Sequence, residues 1–350
     1  MKAKKASINI REVARVARVG VATVSRVLND SSLISAKTQE HVRAVIRQLG
    51  YRPNALARRI IRHSEMVCFA LVNRPFLHSF HAGILQGAES RARMLKRHVV
   101  FLGINCPKEI PPSQIVLPPL LEEKGWVEGV ILTGVVYPNL ISRIEALGLQ
   151  IVVFGNNVFT DGRRRELNKV WYDGVEGQIK AAEYLINHGH RSIAFVGDTE
   201  YPWFREQYEG YVKALRAHRL RPNAVIRKGP ESFVEYGKWA ANRLFDGKVV
   251  PTAILSGNDE IALGVSRSVR HLGLRIPADI SLVGFDDREI AAVMESALTT
   301  VKVPSQEIGR QCMELLMEKL REGGSHVSSR LVPTQLIERD SVMWLGSERK

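Results

Sequence analysis

The chain has 350 residues, too many for one small domain, so two or three domains are expected. Apolar residues make up 45% and charged residues 25%, which excludes a chain that is disordered throughout. Residues 1–65 carry 14 Lys and Arg against 4 Asp and Glu, whereas the rest of the chain carries 36 against 32. A basic N-terminal module on a nearly balanced body favours nucleic acid or an anionic membrane surface as the partner.

Three absences narrow the class of protein further. The basic N-terminus is not followed by a continuous apolar run, so no export signal is expected. No uncharged apolar stretch reaches the length of a membrane-spanning helix. Cys68, Cys106 and Cys312 form no CxxC pair, which argues against a disulfide framework or a zinc site and favours a reducing, cytoplasmic location.

The N-terminal module begins with two short helices. Apolar side chains recur at the spacing of one helical face in segments 10–17 and 21–28. Only residues 18–20 separate them, which is the length of the corner in a helix-turn-helix motif.

Two more helices are predicted before residue 62. The third helix runs from Ser35, as its N-cap, to Leu49, and Gly50 ends it. The segment NALARRII (54–61) favours a helix by propensity but is only about two turns long. Because so short a helix is marginal alone in water, we expect it to need a partner in order to form.

From Met66 onward, short β-rich apolar runs alternate with amphipathic helical segments. This alternation predicts βαβ units and parallel, doubly wound sheets, and the number of runs favours two sheets and hence two subdomains. The runs are 66–72, 98–104, 127–134, 151–155, 192–197, 252–257 and 280–285. Helical segments between them include 174–188, 205–219, 234–246 and 259–272.

The segment VATVSRVLN (21–29) carries the chemistry of the basic module. Its non-apolar face presents Ala22, Thr23, Ser25, Arg26 and Asn29. Small residues allow close approach to a groove, hydroxyl groups suit phosphate oxygens, and an Arg can bind a guanine edge. The alternative is an ordinary solvated helical bundle, and the basic charge favours nucleic acid over it.

These motifs resemble those of the lactose/galactose repressor family of bacterial regulators. The stretch INIREVARVARVGVATVSRVLND…YRPNALARRI covers residues 8–60 of the pattern, and GHRSIAFVG, SGNDEIALG and LGLRIPADISLVGFDD extend the resemblance to about residue 339. The resemblance implies a multidomain protein, with a small all-α helix-turn-helix headpiece, a hinge helix, and an α/β body like a periplasmic binding protein with two doubly wound parallel-sheet subdomains.

The resemblance also implies domain limits. The headpiece is expected at 1–52, the hinge helix and linker at 53–64, and the effector-binding and dimerisation domain at 65–346. The N-subdomain is expected at about 65–166 and 298–325, and the C-subdomain at about 167–297 and 326–346.

DNA-binding roles are carried over from the family by position. Major-groove contacts fall on Val21, Ala22 and Arg26, and the hinge helix, which folds when two copies pair in the minor groove, falls on 54–61. The apolar wedge that kinks the duplex falls on Ile60. The DNA-binding candidates are Arg18, Val21, Ala22, Thr23, Ser25, Arg26, Asn29, Tyr51, Arg52, Asn54, Ala57, Arg58 and Ile60.

Four positions depart from the family pattern. Arg18 stands where the family usually has Gly, and Gly20 where it has Ser, so the corner loses a hydroxyl contact to phosphate. Ile60 stands in place of Leu. Gln207 stands where an Arg clamp is usual, with Arg205 two residues earlier, and a neutral ligand is therefore expected.

The ligand is expected in the crevice at the carboxyl ends of the strands. Asn258 and Asp259 follow the strand TAILSG, and an amide with a carboxylate suits paired hydroxyls of a polyol. Asp259 and Asp173 have the alternative of capping a helix, and the aromatic candidates have the alternative of a core position. The ligand-binding candidates are Phe80, Asp173, Trp203, Arg205, Gln207, Phe233, Asn258 and Asp259.

We therefore predict a homodimeric, sequence-specific transcriptional regulator, a repressor that binds a palindromic operator and is controlled by a sugar. One alternative is control by a co-repressor, a purine or a phosphosugar, or by a protein partner. A second is a sugar-binding protein without a regulatory role. The sequence contains no catalytic constellation or phosphate-binding loop, and the His pairs lack further ligands at suitable spacing, so no enzyme, cofactor or metal is expected.

Overall fold

A computed structural model describes residues 9–28, 33–51, 65–75, 79–160, 165–247, 250–323 and 326–346. The chain divides into two compact units, Met1–Ser64 and Glu65–Lys350, called here the headpiece and the body. The predicted hinge helix at 54–61 lies outside the described residues.

The headpiece contains the three predicted helices. They are α1 (Ile10–Ala17), α2 (Val21–Leu28) and α3 (Ala36–Leu49). Their apolar stripes meet in one small core, which explains why three helices this short are stable together although none would be stable alone. The fully buried members of this core are Val13, Ala14, Ala17, Val24, Val27, Val42 and Val45.

Both ends of α3 have the predicted caps. The Ser35 hydroxyl accepts a hydrogen bond from the Thr38 N–H at 3.3 Å. Gly50 has a left-handed backbone, with φ 59°, and its N–H donates to the carbonyl oxygen of Arg47. These two caps satisfy backbone groups that the helix leaves without partners, and they fix where it begins and ends.

The body contains two six-stranded sheets, as the alternating pattern predicts. The first has the order β11-β5-β4-β3-β1-β2 and is parallel throughout; the second has the order β12-β10-β9-β8-β6-β7, and only β12 runs antiparallel. The strands are β1 (Met66–Val72), β2 (His98–Ile104), β3 (Gly129–Gly134), β4 (Gln150–Phe154), β5 (Lys169–Tyr172), β6 (Ile193–Val196), β7 (Asn223–Val225), β8 (Ala253–Ser256), β9 (Ser281–Asp286), β10 (Thr299–Lys302), β11 (Ser329–Val332) and β12 (Gln335–Ile337).

Helices cover both faces of each sheet. Alternate residues of β1 face opposite cores, with Val67 and Phe69 in one and Cys68 and Ala70 in the other, which is why the strand reads as a continuous apolar run. The helices are α4 (Ser79–Met94), α5 (Pro119–Glu122), α6 (Pro138–Glu145), α7 (Gly174–Asn187), α8 (Pro202–Ala217), α9 (Phe233–Phe245), α10 (Asp259–His271), α11 (Glu289–Val293) and α12 (Ser305–Glu322), with 3-10 turns at Pro112–Gln114 and Gly155–Asn157.

The strand pairing differs from the predicted subdomain limits at three places. β5 lies in the predicted C-subdomain but pairs with β4 and β11 in the first sheet. β10 lies in the predicted N-subdomain but pairs with β9 in the second sheet. β11, predicted in the C-subdomain, completes the first sheet. Each of these strands is four residues long, and a local pattern identifies such a strand without showing which distant strand it joins.

Candidate DNA interface and ligand cleft

The second helix of the headpiece has one buried face and one free face. Val24 and Val27 are buried against the other headpiece helices. On the opposite side, Ala22 and Arg26 are exposed, and Val21 leaves 42% of its surface exposed although it is apolar. An exposed apolar residue at the start of such a helix suits contact with a thymine methyl group, and the nearby Arg suits a guanine edge.

The corner between α1 and α2 has a left-handed backbone at Arg18, where the family usually has Gly. Arg18 has φ 52° and ψ 40°, and its N–H donates to carbonyl oxygens at the end of α1. Two residues later, a Cβ added to Gly20 would lie 3.9 Å from the Thr23 hydroxyl oxygen, an ordinary contact distance. The backbone therefore leaves room for the Ser that the family usually has at this position.

Not every DNA-binding candidate falls on described residues. Thr23 and Ser25 are half-buried on α2, and Tyr51 packs against the headpiece core. The candidates outside the described residues are Asn29, Arg52, Asn54, Ala57, Arg58 and Ile60.

A small cavity marks the cleft of the body, at the carboxyl ends of strands from both sheets. Four of the predicted ligand contacts line it: Phe80, Trp203, Phe233 and Asn258. Its volume of about 30 Å³ has room for one or two water molecules. The other residues that line it are Arg74, His81, Asn157, Tyr172 and Asp286.

The structure gives Asn258 and Asp259 different roles. The Asn258 side-chain oxygen caps α10 by accepting from the Ile261 N–H at 2.8 Å, and the residue also lines the cavity. Asp259 is fully buried and does not line it. One Asp259 oxygen accepts from the Thr300 hydroxyl at 2.7 Å and the other from the Arg288 N–H at 2.7 Å. Both Asp259 oxygens are therefore bound within the protein, and its contact with the ligand stays a prediction.

Asp173 and Arg205 also fall away from the cavity. The Asp173 carboxylate accepts from the Glu176 N–H at 2.8 Å, so it caps α7, as the alternative interpretation held. Arg205 is exposed and donates to the carbonyl oxygen of Thr199 at 3.1 Å. Gln207 is buried, and its side-chain oxygen has no hydrogen-bond partner in the described part of the chain.

The sequence analysis missed five of the residues that line this cavity, and Arg74 is the one with a permanent charge. It follows β1, and Asn73 before it has φ 50° and is held by hydrogen bonds from its side-chain amide to the carbonyl oxygens of Cys106 (2.9 Å) and Val135 (3.0 Å). The signal available in the sequence was its place at the carboxyl end of a buried strand. A single polar residue after one apolar run is too common to single out.

Buried acids surround the same region. Burial raises the pKa of Glu206 to about 7, and the side-chain amide of Asn156 donates to this carboxylate at 2.9 Å. Burial likewise raises the pKa of Asp259 to about 7 and the pKa of Asp286 well above its ordinary value. Water does not solvate these carboxylates well, so their neutral forms are favoured at higher pH than usual.

The described part of the chain has neither a metal-binding cluster nor a membrane-spanning helix. No three His, Cys, Asp or Glu side chains come together there as a group that could hold a metal ion. Within the same residues, no helix has both the length and the apolar character needed to cross a membrane.

Comparison with known proteins follows the same division of the chain. Residues 9–54 match the family model described as bacterial regulatory proteins, lacI family, and residues 182–342 match a periplasmic binding protein-like domain. The chain is 30% identical to the HTH-type transcriptional repressor CytR of Escherichia coli K12, over 97% of this chain and 98% of CytR. It is 28% identical to the lactose operon repressor of Escherichia coli K12, over 96% and 91% of the two chains.

Solved structures give the same result. A crystal structure of the lac repressor dimer bound to operator and the anti-inducer ONPF superimposes with a TM-score of 0.81, at 28% identity, over 96% of this chain and 99% of that one. The cellobiose complex of the transcriptional regulator CelR matches with a TM-score of 0.69, at 26% identity, over 95% and 99%.

Proposed function

Because this chain belongs to the LacI family of bacterial regulatory proteins, we propose that it is a repressor that binds a palindromic operator as a homodimer. Membership makes it a DNA-binding transcriptional regulator, like its relatives, and not an enzyme. The observation that carries the proposal is the similarity over 96% of the chain to a repressor solved as a dimer on its operator. Its place of action is then the cytoplasm, where bacterial DNA lies.

We assign base reading to the free face of α2. Val21, Ala22 and Arg26 enter the major groove, and the hydroxyls of Thr23 and Ser25 bind phosphate oxygens. One such helix reads only a half-site, so two copies are needed for a palindrome. The residues from Arg52 to Ile60 are assigned to phosphate and the minor groove by their resemblance to the family's hinge.

We assign effector binding to the cleft of the body. The amides of Asn157 and Asn258 suit the hydroxyls of a sugar, and the rings of Phe80, Trp203 and Phe233 suit its apolar face. The similar regulator CelR was solved in complex with cellobiose. The bound effector changes the affinity for DNA because the two sites are coupled through one protein.

The test is selection of an operator from random duplexes by the full-length protein, followed by affinity measurements with Arg26→Ala. We expect a palindromic consensus, and a loss of about tenfold to hundredfold in affinity for it when Arg26 is replaced, with relaxed preference at one base pair of each half-site. Arg47, exposed on α3, provides the control, and Arg47→Ala should bind like the wild type. Equal losses in both variants, or no preference over random DNA, would contradict the proposal.

A further inference from the structure

The guanidinium group of Arg74 lies among three aromatic rings at the cleft. Its central carbon is 5.5 Å from the ring centre of Tyr201 and 5.3 Å from those of Trp203 and Phe233. Two of these rings also stack on each other, with 4.7 Å between the centres of Tyr201 and Trp203. The rings therefore form a fixed platform, and Arg74 belongs to the same cavity lining as Trp203 and Phe233.

This cation has no anionic partner among the described residues. Its Nε atom is buried and donates no hydrogen bond to any of the described residues. Glu260 is the carboxylate that acts on it electrostatically, but Glu260 pairs with Arg288 at 3.0 Å. Asp286 lines the same cavity, but burial raises its pKa well above the ordinary value, which favours the neutral acid.

A buried guanidinium without an anion is energetically costly. Cation–π contacts recover part of the lost hydration, but they leave the buried Nε–H donor without an acceptor. A carboxylate or a phosphate supplies both a countercharge and two acceptor oxygens, in the forked geometry that Arg recognises. The described residues place this guanidinium in the cleft and include no anion paired with it, so the missing partner is expected on the ligand.

We infer that the effector is a polyhydroxylated molecule with one anionic group, a carboxylate or a phosphate, that pairs with Arg74. This inference rests on the proposed function, because it assumes that the effector binds in this cleft. It replaces the neutral ligand expected from Gln207: the cation that this position lacks is supplied by Arg74, in the loop after β1. The amides of Asn157 and Asn258 are then left for the hydroxyl groups.

The experiment compares thermal unfolding of the full chain with matched probes at constant pH and ionic strength. The probes are D-glucose with D-glucuronate and D-glucose 6-phosphate, D-ribose with D-ribose 5-phosphate, and acetate and inorganic phosphate alone. Arg74→Met tests the guanidinium, and Arg216→Gln, an exposed Arg on α8, is the control.

We expect at least one anionic probe to stabilise the wild type and Arg216→Gln more than its neutral partner does. Arg74→Met should bind that probe about tenfold to hundredfold more weakly, the effect of losing a charged hydrogen-bonded pair. The sugar acid and the sugar phosphate distinguish the two sources of the anion. Without a probe, Arg74→Met should unfold at the temperature of the wild type or above it, because an unpaired buried charge has been removed.

Several results would overturn the inference. It fails if every anionic probe stabilises the wild type and Arg74→Met equally. It also fails if a neutral sugar binds these two proteins equally and more tightly than its anionic partner does. A melting temperature of probe-free Arg74→Met far below that of the wild type would contradict it as well. Operator binding without probes is measured on the same samples. If all variants bind the operator but no anionic probe distinguishes the wild type from Arg74→Met, only this inference fails. If the wild type selects no operator, the proposed function fails.

Discussion

At the scale of single residues, Arg18 combines a strained backbone with a position at the edge of the DNA-reading helix. Its φ of 52° lies in the left-handed region, where an L-residue with a side chain is disfavoured by about 1–2 kcal/mol. The side chain is exposed, so it has no packing in the headpiece that offsets this cost. We propose that its positive charge binds a phosphate group of DNA, in place of the Ser hydroxyl that is lost at Gly20.

Replacing Arg18 by Gly should therefore stabilise the headpiece and weaken DNA binding. We expect amide hydrogen exchange of α1 and α2 in the full-length protein to slow by a factor of about 5–30, the equivalent of 1–2 kcal/mol. Arg18→Ala keeps the Cβ and loses the charge, so it should weaken DNA binding without slowing exchange. Equal protection in the Ala and Gly variants would show that backbone strain is not the cause.

At the scale of elements, the first sheet is covered by two helices that cross at small residues. A Cβ added to Gly309 of α12 would lie 1.9 Å from the Ile84 carbonyl oxygen, and one added to Gly87 of α4 would lie 1.8 Å from the Gln306 carbonyl oxygen. Backbone stands directly against backbone, so a side chain at either glycine has no space that a rotamer change could free.

We expect Gly309→Ala to destabilise the body by about 1–3 kcal/mol, although Ala is the better helix former. The measurement is the denaturant midpoint of the body in the full-length chain. Gly103 of β2 is the matched control, since a Cβ there meets no atom within 4 Å. If Gly103→Ala lowered the denaturant midpoint as much as Gly309→Ala does, the close crossing of the two helices would be contradicted.

At the scale of the whole molecule, most of the net positive charge lies in the part of the chain proposed to bind DNA. The first 65 residues carry a net charge of +10 and the rest only +4, of the total of +14. A dimer doubles the basic surface offered to DNA, and phosphate neutralisation releases counterions with a slope of about −0.9 per contact in a plot of log affinity against log salt. The nearly neutral body suits a part that binds a small molecule and a second copy of itself.

Operator affinity should therefore fall steeply and linearly in that plot. Replacing Arg58, a proposed phosphate contact, by Ala should reduce the slope by about 1 for each protomer. Arg216→Gln removes one charge from the body and should leave the slope unchanged. Titrations of operator DNA at several salt concentrations measure both slopes. If Arg216→Gln reduced the salt slope as much as Arg58→Ala does, the body would contribute to phosphate binding.

Much of this architecture follows from local patterns. The helical periodicity at 10–17, 21–28 and 35–49 gives the headpiece helices, and the alternation after Met66 gives two parallel sheets. Four of eight ligand candidates line the cleft cavity. Asp259 does not line it, and one of its oxygens accepts from Thr300, 41 residues away, a partner that the sequence does not reveal.

Side-chain periodicity and motif spacing are properties of neighbouring residues, so the helix-turn-helix, the class of the body and the family can be inferred from the sequence. The folded chain was needed to show which sheet β5, β10 and β11 join and which polar side chains line the cleft. It also placed Arg74 beside Tyr201, Trp203 and Phe233, more than a hundred residues away in the chain. Strand partners and buried countercharges are chosen by distant segments, and their energies depend on burial that exists only in the folded chain.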